Sequence, residues 1–147
     1  LTIMNAINGK KIPLYGDGSN IRDWLYVMDH CEGIYKTMLK GKTGEVYNIG
    51  GNNEKTNKYI VNKICRILDD VFPVEKNKNM PKNMNSYSEL IENVKDRPGH
   101  DFRYSIDNTK IKEQLNWEPA ETFESGILKT INWYLENFDS YNDSSLD

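Results

Sequence analysis

The sequence predicts a mixed α/β fold, and three observations lead there. Short apolar runs bounded by glycine or asparagine read as strands, as at residues 12–15 and 46–49. Longer stretches carry apolar residues at helical spacing, as in Ile60, Val61, Ile64, Ile67 and Leu68. The chain does not open on the strand, glycine turn and helix of a dinucleotide-binding unit.

The elements follow in order. Residues 1–8 read as an amphipathic helix, ended by Gly9 where a left-handed residue is needed. Residues 12–15 form a strand, and Gly16-Asp17-Gly18-Ser19-Asn20 is turn chemistry. Residues 21–27, aromatic and branched, predict a second strand. Asp29 is placed to N-cap a helix over 30–39 with Ile34, Tyr35 and Met38 as its apolar face. Val46-Tyr47-Asn48-Ile49 reads as a strand, and Thr56 caps a helix stopped by Pro73. Residues 75–86, rich in Lys and Asn, predict a mobile loop. A strand over 90–94 follows, then helices capped by Asp107 and Thr122, the last with Ile127, Leu128, Ile131, Tyr134 and Leu135 inward. The domain is expected to span 1–138, with a disordered acidic tail over 139–147.

Composition narrows the function classes. The 147 residues are 37% hydrophobic, the mean hydropathy is -0.74, and no apolar run nears the ~20 residues of a membrane span. Net charge is -3, from 19 Lys+Arg against 22 Asp+Glu, so nucleic acid is not the expected partner. Cys31 and Cys65 are too few and too far apart for a disulfide framework or a zinc site, which fits a reducing cytoplasm. The chain opens on Leu1 inside a helical pattern, so it is expected to be part of a longer protein.

Four loop clusters carry chemistry. Pro13-Leu14-Tyr15 offers a flat apolar edge and a phenol to a base, or simply ends a strand. In Arg22-Asp23-Trp24 the guanidinium suits phosphate oxygens, with Asp23 to orient it; a strand-edge salt bridge is the plainer alternative. Asn57 stands at a helix start, where free N–H groups favour an anion, although ordinary capping by Thr56 explains the same residues. Asp96-Arg97-Pro98-Gly99-His100-Asp101 is a charged turn whose Arg97 and His100 can both face an acidic ligand; a single histidine is no metal site. Two patterns are coincidences. Tyr59 and Lys63 have the Tyr-x-x-x-Lys spacing of a catalytic pair but lie on an amphipathic helix with no Rossmann unit before it. Gly16-Asp17-Gly18 begins a Gly-x-Gly, but Ile21 stands in place of the third glycine.

In this order the clusters resemble the second half of dTDP-glucose 4,6-dehydratases. The resemblance rests on residues 12–18, on Ile21-Arg22-Asp23-Trp24-Leu25-Tyr26-Val27 with Asp29-His30, and on Tyr47-Asn48-Ile49-Gly50-Gly51 with Asn53-Glu54-Lys55 and Asn57. It continues through Asp96-Arg97-Pro98-Gly99-His100-Asp101, Arg103-Tyr104 and Ile106-Asp107. It ends on Leu115-Asn116-Trp117-Glu118-Pro119, Thr122-Phe123-Glu124-Ser125-Gly126-Ile127, Thr130 and Trp133-Tyr134, covering Leu1 to about Asn137. Residues 75–86 depart from it, being longer and richer in Lys and Asn.

The resemblance implies the C-terminal substrate-binding lobe of an extended short-chain dehydrogenase/reductase, an α/β fold. In that family a Rossmann domain binds NAD, and the reaction oxidises C4 of the sugar, eliminates water across C5 and C6 and returns the hydride to C6, in deoxysugar and rhamnose biosynthesis. The NAD loop and the catalytic residues belong to the other domain, so this chain alone is expected to be inactive, with no catalytic, cofactor-binding or metal-binding residue. It implies substrate-binding roles for Leu1, Thr2, Pro13, Leu14, Tyr15, Arg22, Asn57, Asp96, Arg97, Pro98, Gly99 and His100. The implied partners are a nucleotide-diphosphate sugar, the N-terminal domain and, for the full-length protein, a second subunit. UDP-glucose 4,6-dehydratases and UDP-glucuronate decarboxylases are the nearest alternatives, and a non-catalytic nucleotide-sugar-binding domain is one of another class.

Overall fold

The structure is a computed structural model and describes residues 1–138; the tail expected over 139–147 lies outside the described residues. The described residues fall into two compact units. The first comprises residues 1–18, 58–98 and the chain from 128, and the second comprises 19–57 and 99–127.

In the first unit, helix α1 (Thr2–Ile7) leads into strand β1 (Ile12–Tyr15). Gly9 joins them at φ +64, and a Cβ there would lie 2.0 Å from the Asn79 carbonyl oxygen, so both its conformation and its neighbour demand glycine. Strand β1 pairs in parallel with a strand near the end of the unit, Ile91–Val94, so that Ile12 faces Ile91 and Tyr15 faces Val94. Ile12 and Leu14 point into the core, where Ile3, Ala6, Ile7, Leu68 and Leu90 are also buried. Helix α3 (Asn57–Val71), all but its first residue in this unit, buries Ile60, Val61, Ile64, Cys65 and Leu68 at the spacing the sequence predicts.

Residues 75–86 are held, contrary to the mobile loop expected. The buried Asn77 donates through Nδ2 to the Ile7 carbonyl at 3.0 Å and to Tyr87 Oη at 3.1 Å. Tyr87 Oη donates in turn to the Phe72 carbonyl at 2.8 Å. Asp69 accepts from the Tyr87 amide at 2.9 Å and from Ser86 Oγ at 2.7 Å. A composition typical of loops hid a polar anchor, because Asn77 fills its hydrogen bonds with groups 10 and 70 residues away.

In the second unit, strand β2 (Ile21–Asp23) pairs antiparallel with β3 (Glu54–Thr56), Arg22 opposite Lys55. The expected strand over 21–27 stops at Asp23, and helix α2 runs Val27–Lys40, starting three residues earlier than the sequence suggested. Asp29 is not its cap: it is buried in the first turn, where Oδ2 accepts the Glu121 amide at 3.0 Å. The apolar face expected of α2 is exposed: Ile34, Tyr35 and Met38 all lie at the surface. Residues 46–49 form no strand. The unit's core gathers Ile111, Leu115 and Trp117, with Leu25, Tyr47 and Ile49 against them.

With β4 as Ile91–Val94, two helices follow it among the described residues, α4 (Thr109–Leu115) and α5 (Phe123–Glu136). Thr122 Oγ1 accepts the Ser125 amide at 3.2 Å, the capping role expected of it, whereas the N-cap of α4 is Asn108, not Asp107, whose Oδ1 accepts the Thr109 amide at 2.9 Å from one residue further out. Helix α5 lies in the second unit up to Ile127 and in the first from Leu128. Ile131 is fully buried, whereas Leu128, expected inward, is 40% exposed.

Candidate functional site

The second unit assembles a guanidinium platform around Arg22. Ile21 forms a parallel bridge with Arg103: its amide donates to the Phe102 carbonyl at 2.7 Å and its carbonyl accepts the Tyr104 amide at 3.1 Å. This lays residues 100–104 beside β2. Arg22 Nη1 donates to the Ile21 carbonyl at 2.6 Å, and Nη2 donates to the Asp101 carbonyl at 3.0 Å. Nη2 also lies 2.8 Å from His100 Nε2. Arginine can only donate, so His100 accepts there through an unprotonated Nε2 and carries its proton on Nδ1. The guanidinium carbon sits 4.6 Å from the centroid of the Tyr104 ring, and Tyr104 Oη is hydrogen-bonded to the Asp101 carboxylate.

The loop therefore positions Arg22 through carbonyls, an imidazole and a ring face. Asp23 does not orient it, as the sequence suggested. Its two carboxylate oxygens accept the amides of Gly51 at 2.8 Å and Asn53 at 2.7 Å, closing the turn before β3. Tyr104 gave no sequence signal beyond its place in the motif; its role depends on the bridge that folds residues 102–104 back along β2.

Asn57 opens α3, as expected, but the helix start is not an open anion site. The Asn57 amide donates to the Asn20 carbonyl at 2.9 Å, and the Lys58 amide to the Gly18 carbonyl at 2.9 Å. What remains for a ligand at Asn57 is its side chain.

Below the platform in sequence, Glu54 fixes the same loop. Arg103 donates to it twice, Nε and Nη2 each at 2.7 Å, and Ser105 Oγ donates at 2.6 Å. The hydrogen bonds from Arg103, then that from Ser105, hold the Glu54 carboxyl down to about 2. Since the folded value lies below the ordinary 4.5, this contribution is complete above pH 4.5 and is lost as pH falls toward 2. The difference in melting temperature between the protein and Glu54→Gln should accordingly be constant above that range and shrink below it. A difference independent of pH from 5 to 3 would contradict the assignment (the range is about two units).

The first unit presents Tyr15 and Arg97. Tyr15 ends β1, and the Arg97 guanidinium lies over its ring at 5.5 Å from the centroid. The Asp96 carboxylate accepts the Arg97 amide at 2.8 Å, and Gly16 and Gly18 take φ of +58 and +76 in the turn that follows β1. Pro13 is half-buried in β1, opposite Glu92. Leu14 is 4% exposed, so its side chain belongs to the core and only its backbone can meet a ligand. Leu1 is exposed ahead of α1, and Thr2 is its first residue. Pro98 and Gly99 are exposed, with Gly99 at φ +68. The expected set is thus divided: Leu1, Thr2, Pro13, Leu14, Tyr15, Asp96, Arg97 and Pro98 lie in the first unit, and Arg22, Asn57, Gly99 and His100 in the second.

The described residues do not fit NAD. The only glycine turn of the right beginning, Gly16-Asp17-Gly18, runs from β1 into β2, so no helix start follows to receive a pyrophosphate. Tyr59 is exposed on α3, four residues before Lys63, and Tyr59→Phe should leave kcat within a few-fold in a protein that carries this region. A loss of about 100-fold, the size expected for a general acid or base, would refute that.

The fold and this platform define a lobe of an extended short-chain dehydrogenase/reductase. The chain belongs to the GDP-mannose 4,6 dehydratase family, whose model matches residues 1–130. Among curated relatives, the dTDP-glucose 4,6-dehydratase of Escherichia coli is 53% identical over 137 residues, covering 93% of this chain and 36% of that protein. The crystal structure of dTDP-glucose 4,6-dehydratase from Bacillus anthracis, in complex with NAD, is 46% identical with a TM-score of 0.75, covering 94% of this chain and 39% of that one. The dTDP-glucose 4,6-dehydratase DesIV of Streptomyces venezuelae, with NAD bound, is 35% identical with a TM-score of 0.77, covering 95% and 38%. The chain thus spans less than half the length of each. No helix among the described residues is long and apolar enough to cross a membrane, and no group of three or more His, Cys, Asp or Glu there could hold a metal.

Proposed function

We propose that the chain is the nucleotide-sugar-binding part of a dTDP-glucose 4,6-dehydratase that acts in the cytoplasm as a homodimer. The observation that carries this is the 53% identity to the Escherichia coli enzyme along 93% of the chain. The residues support a binding role. Arg22, steadied by Tyr104, His100 and two carbonyls, takes a phosphate of the diphosphate by exchanging its contact with His100 for one to a phosphate oxygen. A charge-assisted bond of that kind contributes about 1.5–3 kcal/mol. Asn57, in the same unit, supplies a neutral donor. Binding energy gathered on the nucleotide then positions a sugar whose reacting carbons lie elsewhere.

The test is a chimera in which this chain replaces the 137 aligned residues of the Escherichia coli enzyme. It should convert dTDP-glucose to the 4-keto-6-deoxy product within about tenfold of the parent rate. A folded, NAD-loaded chimera that binds no dTDP-sugar would refute the reading. One that binds dTDP-sugar but turns over only a different nucleotide sugar would move it to a sibling activity.

A further inference from the structure

Asn8-Gly9 is the one place in the sequence where an asparagine precedes a glycine; the other 17 asparagines precede residues that carry a side chain. That pair is chemically labile. Glycine has no Cβ to shield its amide nitrogen, and its backbone turns freely, so the nitrogen can reach the carbonyl carbon of the preceding side chain. The Gly9 nitrogen gives up its proton and bonds to Asn8 Cγ. The Cγ–Nδ2 bond breaks, ammonia leaves with that proton, and a succinimide ring closes. Water then opens the ring at either carbonyl. One opening gives aspartate, and the other gives isoaspartate, with the main chain rerouted through Cβ. Water enters, ammonia departs and nothing is oxidised or reduced.

The folded chain holds both reacting groups back. Asn8 is the C-cap of α1, at φ -81 and ψ 3. Its Nδ2 donates to the Met4 carbonyl at 2.9 Å, and the Gly9 amide donates to the Ala6 carbonyl at 3.0 Å. Nucleophile and target are thus each tied back to α1. That helix has six residues, fewer than the ~12–15 an isolated helix needs, so tertiary contacts must hold it. At its end those contacts come from residues 77–80, in the same unit. Asn77 Nδ2 at 3.0 Å and Asn79 Nδ2 at 3.3 Å both donate to the carbonyl of Ile7, the residue before Asn8. On the other side of Asn8, Gly9 lies directly against the Asn79 carbonyl and Met80 Cα.

We infer that Asn8 is a covalent modification site, converted with Gly9 to aspartate and isoaspartate, and that Asn77 and Asn79 set its rate by holding the end of α1 shut. The reaction needs both hydrogen bonds broken and the Asn8 ψ turned, so it runs only in molecules whose α1 end is open. The product acts back on the anchor. Isoaspartate adds one atom to the main chain and displaces Gly9 by about 1.5 Å, a bond length. Gly9 has no room for that, since even a Cβ there would lie 2.0 Å from the Asn79 carbonyl oxygen. The modified chain therefore loses the contact between Gly9 and residues 79–80, and the segment that Asn77 anchors is loosened. Nothing in this depends on the dehydratase reading.

The test incubates the chain at mildly alkaline pH and follows the peptide of residues 1–10, cut after Lys10, by mass spectrometry. The readout is the mass gain of amide-to-acid conversion, and fragmentation assigns it to Asn8 rather than Asn5. Asn8 should convert at least about tenfold more slowly in the folded chain than in the same chain in urea. Asn77→Ala should speed the folded reaction about fivefold, the effect of one lost hydrogen bond on the opening equilibrium. Asn79→Ala serves should Asn77→Ala not fold, and circular dichroism checks both. The isoaspartate form, separated from the parent, should exchange the amides of residues 77–80 faster. Equal rates in the folded and unfolded chain overturn the inference. So does a folded rate that neither substitution changes, or no conversion of Asn8 over about 100 half-lives of the unfolded reaction, beyond the range of local opening. Unchanged exchange at residues 77–80 in the isoaspartate form overturns the effect on the anchor.

Discussion

Arg22→Ala in the chimera is expected to weaken dTDP-glucose binding about tenfold or more, from the loss of about 1.5–3 kcal/mol of charge-assisted bonding. Arg22→Lys should also weaken it, because a point charge cannot keep the Ile21 and Asp101 carbonyls and a phosphate together while lying flat on Tyr104. NAD affinity should stay near the parent value. Arg22 also latches residues 100–104 to β2, so some fall in melting temperature accompanies the substitution. The two roles separate by measurement. A lowered melting temperature with an unchanged Kd for dTDP-glucose would make Arg22 a latch and nothing more. Tyr104→Leu, which removes the platform but keeps the cation, should weaken binding less than Arg22→Ala and more than a substitution outside the unit.

Trp117→Ala should be the most destabilising single change in the second unit. Trp117 is fully buried between Ile111 and Leu115 in sequence-distant packing with Gly33, and its truncation opens a cavity costing about 3–5 kcal/mol. Trp117→Phe should cost far less than Trp117→Ala. It keeps most of the ring volume and removes an indole N–H that is buried without a hydrogen-bond partner among the described residues. Chemical denaturation of the three proteins measures both. Equal losses for Ala and Phe would show that the indole nitrogen is satisfied and contributes.

Where the sequence was legible, local chemistry and tertiary context agreed. Strand β1 occupies the predicted residues, Gly9 is left-handed where the helix must end, and Thr122 caps α5. Where it failed, a distant partner decided the outcome. Asp29 has the composition of a helix cap, but the Glu121 amide, 92 residues away, claims its carboxylate. Residues 46–49 have every local mark of a strand, yet a strand exists only with a neighbour to pair with, and none among the described residues is there. The amphipathic pattern of α2 gave its apolar face, and the structure leaves that face exposed; periodicity tells which residues share a face, and only packing tells which way it turns. The same limit holds at the candidate site. The proposal of Arg22 as a phosphate ligand comes from its chemistry and motif, whereas its support by Tyr104 and His100 follows from a bridge between residues 82 positions apart, Ile21 and Arg103.

Calorimetric titration of dTDP into this chain, without NAD, is expected to show one saturable site with a Kd no weaker than about 1 mM, weakened by Arg22→Ala, and no heat of binding when NAD replaces dTDP. Saturable binding of NAD by the folded chain, with none of dTDP, would contradict it.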